Sequence, residues 1–232
     1  MSEQNALATL TTLPVSAPKT DLTKYGGEVE FLQRIQLITK GKYVDKGLIK
    51  PGHYGVPTGD EEVIDLGEAI DILPFAVRDK ALDTTEDPPL SVFDADDPVF
   101  EDIADRAGEK DSGCMFGPSF LVFERNTGKF YEFFCGNKSA RMEAGNFAAY
   151  LPVSEEQAGQ FEGLTAQPPQ PLTLRAKYIE RPRYSWHAPQ VTKCSTPFTN
   201  LPDMGKIVDE INKFLNPKES DVEKAEEGGR DR

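Results

Sequence analysis

From Leu172 to Phe198 the chain reads LTLRAKYIERPRYSWHAPQVTKCSTPF, a run in which arginine and lysine interleave with tyrosine and tryptophan. Arg175, Lys177, Arg181, Arg183 and Lys193 stand against Glu180 alone between Leu172 and Lys193, and Tyr178, Tyr184 and Trp186 supply the rings. Cationic side chains neutralise phosphates, and flat rings stack on any base, each stacked base being worth about 1–3 kcal/mol. This pattern points to a single strand of nucleic acid, gripped along its backbone and stacked through its bases. Lys138 and Arg141 follow Gly136-Asn137 at an expected strand-to-helix junction, where free N–H groups favour anions, and they extend the basic set. The competing reading is a surface strand whose charges face water while Tyr178, Tyr184 and Trp186 are sealed in a core.

Other chemistry has thinner support. Cys114, Cys135, His187 and Cys194 include enough thiolates and imidazole for zinc, but no pair has the short Cys-x-x-Cys type of spacing, so buried thiols and no metal are expected. Asp94, Asp96, Asp97, Glu101, Asp102 and Asp105 could offer oxygen ligands, yet they lack an EF-hand loop pattern and read better as a solvated acidic helix. His53 and His187 are the only histidines, and none of the nucleophile-elbow, phosphate-loop, zinc-protease or dinucleotide motifs occurs. No enzyme activity and no cofactor is expected.

The charge is sorted along the chain. Asp60 to Asp111 holds eighteen acidic residues against four basic ones, within a protein of 232 residues and net charge −13. Solubility needs net charge but not its sorting, so segregation points to a partner. An acidic total argues against a surface that embraces nucleic acid everywhere, and it leaves room for one local basic groove. The acidic region gives the alternative: a protein–protein module, either a structural component or an acidic mimic of a phosphate backbone that binds a host protein.

Three cysteines make an odd count and a poor disulfide framework, which suits a reducing compartment. The first residues lack the basic and apolar regions of a signal peptide. Ile70 to Val77, the longest apolar stretch, is broken by Asp71 and Pro74 and is far short of a membrane span. A cytoplasmic protein with no membrane partner is expected.

The elements that must hold the basic and aromatic run are mostly strands. Residues 1–27 read as a flexible arm, and Val29 to Ile38 as a first strand. Gly41 to Pro57 reads as a turn-rich excursion, and Glu62 to Ile72 as two short strands around Gly67, with one poor helix as the alternative. Leu90 to Phe93 is a further short strand. Asp97-Pro98 opens a helix that packs Phe100 and Ile103 inward and stops at Gly108. Phe120 to Phe134 is an aromatic hairpin turning at Asn126-Thr127-Gly128. Ser139 to Leu151 forms a helix capped by Ser139, and 159–171 a loop. Leu172 to Ile179 alternates, with Leu172, Leu174, Ala176 and Tyr178 on one face, and Tyr184 to Val191 returns beside it. Asp203 to Leu215 closes the fold as a helix with Ile207, Ile211, Phe214 and Leu215 as its stripe, before a disordered charged tail over 217–232.

Four blocks carry a resemblance: DILPFAVRDKALD from Asp71, SGCMFGPSFLVF from Ser112, CGNKSARMEA from Cys135 and YSWHAPQVTKCSTPF from Tyr184. In these blocks the chain resembles an uncharacterised family of tailed-bacteriophage proteins. The resemblance implies a phage origin, host cytoplasm as the compartment and no established activity.

Together these readings predict a mainly β (α+β) protein: one β-barrel-like core over residues 28–202, in the manner of an oligonucleotide-binding (OB) fold, with other barrels and sandwiches as alternatives. A helix over 203–216 packs on it. The expected function is sequence-independent binding of single-stranded DNA in phage replication or recombination, with phage or host replication proteins as further partners.

Overall fold

The structure, a computed structural model, describes residues 32–109, 111–160 and 164–217. The arm expected over 1–27 and nearly all of the tail expected over 217–232 lie outside the described residues.

The strands are β1 (Arg34–Ile38), β2 (His53–Pro57), β3 (Val63–Gly67), β4 (Ala69–Asp83), β5 (Leu90–Val92), β6 (Cys114–Glu124), β7 (Lys129–Phe134), β8 (Leu172–Arg181) and β9 (Tyr184–Lys193). The helices are α1 (Lys42–Asp45), α2 (Pro98–Arg106), α3 (Lys138–Ala148), α4 (Glu155–Gln160) and α5 (Met204–Leu215). All nine strands join one sheet in the order β3-β2-β1-β7-β6-β4-β8-β9, with β5 also on β4. Every pairing is antiparallel except β1 with β7.

The sheet is mixed and open, which corrects the expected barrel. Two observations explain it. The central strands are apolar on both faces: in β6, Phe120 and Val122 face one core while Leu121 and Phe123 face another. A strand buried on both sides needs cover on both sides, which a small barrel with a solvated exterior does not give. Here α3 covers one face, with Phe147 stacked on Phe133 at 5.6 Å, and α5 covers the other through Ile207, Ile211 and Phe214. Secondly, β4 keeps β6 along one edge but divides its other edge between β8, at Ala69 to Ile72, and β5, at Ala81 to Asp83. The sheet therefore splays at the two ends of β4 instead of returning to β3.

β4 runs unbroken through Pro74, where the register with β6 shifts, the kind of position in which a sheet tolerates a missing N–H. The expected hairpin is β6–β7, with Gly128 at φ 64 in its turn, and β3 and β4 are the two strands expected around Gly67. Two readings are corrected. The excursion after Ile38 contains β2, which pairs with both β1 and β3. Helix α3 is capped by Asn137, whose Oδ1 accepts from the Ala140 N–H at 2.9 Å, so Ser139 is free for another task.

At the β5 end, Asp97 caps α2 by accepting from Val99 N–H at 2.8 Å, and Ile103 is buried. Arg106 reaches back to Asp83 at 2.8 Å. Hydrogen bonds from the Thr85 hydroxyl and N–H, with Arg106, hold the Asp83 carboxyl down to about 2. On the α5 face the sheet buries an ionic cluster. Glu132 receives Lys80 Nζ at 2.8 and 3.0 Å and the Ser119 hydroxyl at 2.7 Å, while Arg78 lies 3.5 Å away. The Arg78 guanidinium also rests on the Phe93 and Phe214 rings and donates to the Phe214 carbonyl at the last turn of α5, where helix carbonyls are negative.

Candidate nucleic-acid interface

Strands β8 and β9 pair from Leu172↔Lys193 to Arg181↔Tyr184, but β4 accompanies β8 only as far as Arg175. From Ala176 to Arg181 the hairpin leaves the sheet as a two-stranded ribbon, a reach of roughly 20 Å. Its apolar alternation stops where the cover stops: Leu172 and Leu174 are buried, whereas Lys177, Tyr178 and Arg181 are exposed. Pro182-Arg183 makes the turn, with the φ that proline fixes suiting its first position.

The ribbon is anchored at its base. Tyr54 Oη donates to the Arg175 carbonyl at 3.2 Å, and Ala176 N–H donates to the Glu68 carbonyl at 3.0 Å. Gly52, at φ +85, lies flat against the His187 ring, and a Cβ there would fall 2.6 Å from it. Helix α3 flanks the other strand: Val191 N–H points to Glu143, and the Trp186 indole N–H donates to Ser139 Oγ at 3.2 Å.

Opposed residues of an antiparallel pair share a face, so the register sorts the expected site. Arg175, Lys177, Ile179 and Arg181 lie with Gln190, Ala188, Trp186 and Tyr184 on one face. Tyr178 and His187 lie on the other, with ring centroids 5.1 Å apart. On the basic face Tyr184 stacks on Trp186 at 5.3 Å with the planes 26° apart. Tyr184 is 66% exposed and Tyr178 56%, while Trp186 is half-buried. Rings sealed in the core are thus not what the fold contains.

The structure therefore brings together Arg175, Lys177, Arg181, Tyr184 and Trp186, with Arg183 exposed at the turn beside them. Lys138 is exposed on α3, next in sequence to the Ser139 that holds Trp186. Three expected members are placed elsewhere. Tyr178 occupies the opposite face, and Lys193 lies at the far end of the ladder on that same opposite face. Arg141 is turned inward: it donates to the carbonyls of Phe116 and Gly136 and lies over the Phe116 ring at 4.3 Å, fastening α3 to β6.

Sequence reasoning missed the part of Ser139 in holding Trp186. Ser139 and Glu143 sit one helical turn apart, the spacing of a shared face, and that was the available signal. Ser139→Ala is expected to loosen the indole at about 1 kcal/mol. Because Trp186 is the one tryptophan of the chain, a red-shifted emission maximum in the folded protein checks this.

The cysteines are all buried and fall in separate parts of the packing. Cys114 lies under α2, Cys135 lies in the α3-side core, where burial pushes its thiol up to about 12, and Cys194 lies beside Arg125. Among the described residues no group of three or more histidine, cysteine, aspartate or glutamate side chains could hold a metal ion. Among them, too, no helix is long and apolar enough to cross a membrane. Comparison of the chain with family models, with curated proteins and with solved structures finds no match.

Proposed function

We propose that this protein binds single-stranded nucleic acid without sequence preference, through the basic face of the β8–β9 ribbon. One observation carries the reading: exposed cations and the exposed Tyr184 ring, backed by the half-buried Trp186, occupy one face of a hairpin that runs on past the edge of β4. Arg175, Lys177, Arg181 and Arg183 contact phosphates, and Tyr184 backed by Trp186 receives a base. Charge placement supports it. The acidic side chains of α2 and of the loops around β5 lie at the Asp83 end of β4, away from the ribbon, which leaves from the Ala69 end beside the smaller acidic group of Asp65 and Glu68. The setting proposed for this activity is phage DNA replication or recombination; the resemblance of the four blocks bears on a phage origin alone.

Titration of an unstructured oligonucleotide, followed by Trp186 emission, tests the proposal. Four phosphate contacts should give a slope of about −3 in log affinity against log salt. Absence of salt-sensitive binding at low salt would remove the reading. The same charge placement favours a second one, in which the acidic end mimics a phosphate backbone for a protein partner. That reading requires capture of a specific partner which is lost on neutralising Glu101, Asp102 and Asp105.

A further inference from the structure

The ring stack is closed on one side, and this bears on which part of a strand it takes. Tyr184 lies opposite Arg181 in the last pair before the turn, so it marks the tip of the ribbon. Its inner side is occupied by Trp186, and Trp186 is itself half-buried and tied to Ser139 of α3. The other exposed ring of the ribbon, Tyr178, faces the opposite way and leans on His187. The one free ring face on the basic side of the ribbon, that of Tyr184, therefore looks outward past the tip, away from Trp186. A surface that holds a continuous tract needs rings spaced so that successive bases each find one. Here a column of bases stacked on Tyr184 would start at the two-ring wall and extend outward from the tip.

At such a wall the strand must either end or turn sharply away, and turning sacrifices a base–base stack that ending does not. We infer that the ribbon selects strand ends: the terminal base stacks on the outer face of Tyr184, and Arg181 and Arg183 hold the phosphates beside it. This rests on the nucleic-acid reading given above. Stacking of one base corresponds to about five- to 150-fold in affinity, which sets the size of the preference.

The test compares one oligonucleotide sequence as a linear strand and as a covalently closed circle, at fixed salt, with the full chain. The linear form should bind at least about fivefold more tightly. Tyr184→Ala should erase the difference and Tyr184→Phe should keep it; the exposure of Tyr184 leaves both variants able to fold. A ratio below fivefold in the unaltered protein, or a preference that survives Tyr184→Ala, overturns the inference. Equal, salt-sensitive binding of circle and line would do so while leaving single-strand binding intact, whereas no binding of either form removes both.

Discussion

Joint replacement of Arg175, Lys177 and Arg181 by alanine is expected to weaken oligonucleotide binding on the order of 10²-fold near 0.1 M salt, and to flatten the salt slope by about two units. The magnitude follows from counterion release: each phosphate neutralised on a single strand contributes about 0.7 to the slope, and three contacts are lost together. All three side chains are exposed, on the part of the hairpin where cover from β4 ends. Their removal should change stability by no more than about 0.5 kcal/mol, so lost binding would not reflect lost folding. Arg141→Ala should give the reverse pattern. That guanidinium is committed to the Phe116 and Gly136 carbonyls, so its loss lowers the midpoint of urea denaturation and leaves the salt slope unchanged. A triple variant that binds as the parent does would show that the ribbon is not the contact surface.

The second large effect belongs to stability. Glu132→Gln is expected to destabilise the fold by about 3–5 kcal/mol, read from equilibrium denaturation, because Lys80 and Arg78 would remain in the sheet without their carboxylate. Replacing the pair together, Lys80→Met with Glu132→Leu, should recover part of the loss, since two matched apolar groups remove the desolvation penalty that one unpaired ammonium keeps. The pH dependence has a definite sign. Burial alone would raise the Glu132 carboxyl, but the attraction and hydrogen bonds of Lys80, the Ser119 hydroxyl and the Arg78 charge outweigh it and hold the group below the usual glutamate value. A carboxyl with a lowered folded-state pKa contributes stability that is fully present above the unfolded value. It is lost as pH falls through the lower, folded one. Asp83, held at about 2, acts in the same direction. The protein should therefore lose stability on the acid side, below the ordinary carboxylate range, and Glu132→Gln should flatten that loss.

These two predictions concern opposite regions of the molecule, and the long strand β4 explains why. Its Ala69 end supports the ribbon, its middle is sandwiched between α3 and α5, and its Arg78 to Asp83 half carries the buried ions and the anchor for the acidic helix.

Much of the local structure was legible from the residues themselves. The turn at Asn126-Thr127-Gly128 between aromatic runs, the proline at the start of α2, the apolar stripe of α5 and the alternation from Leu172 to Tyr178 each arise from contacts within a few residues, where backbone sterics and periodicity decide. The basic and aromatic character of the β8–β9 hairpin was legible for the same reason. Tertiary structure alone decided the rest. The parallel pairing of β1 with β7, the entry of β2 into the sheet and the course of β4 through Pro74 depend on partners far away in the chain. Neither composition nor period encodes which distant edge a strand meets. The fate of each cation was likewise undecided by its neighbours in sequence. Lys80 is buried by the elements packed over it and the half-buried Arg141 is tied to backbone carbonyls, whereas Arg175 and Lys177 stay exposed where the pairing with β4 runs out. Exposure belongs to the whole packed sheet, and so does the difference between a charge that holds the fold together and one free to meet a ligand.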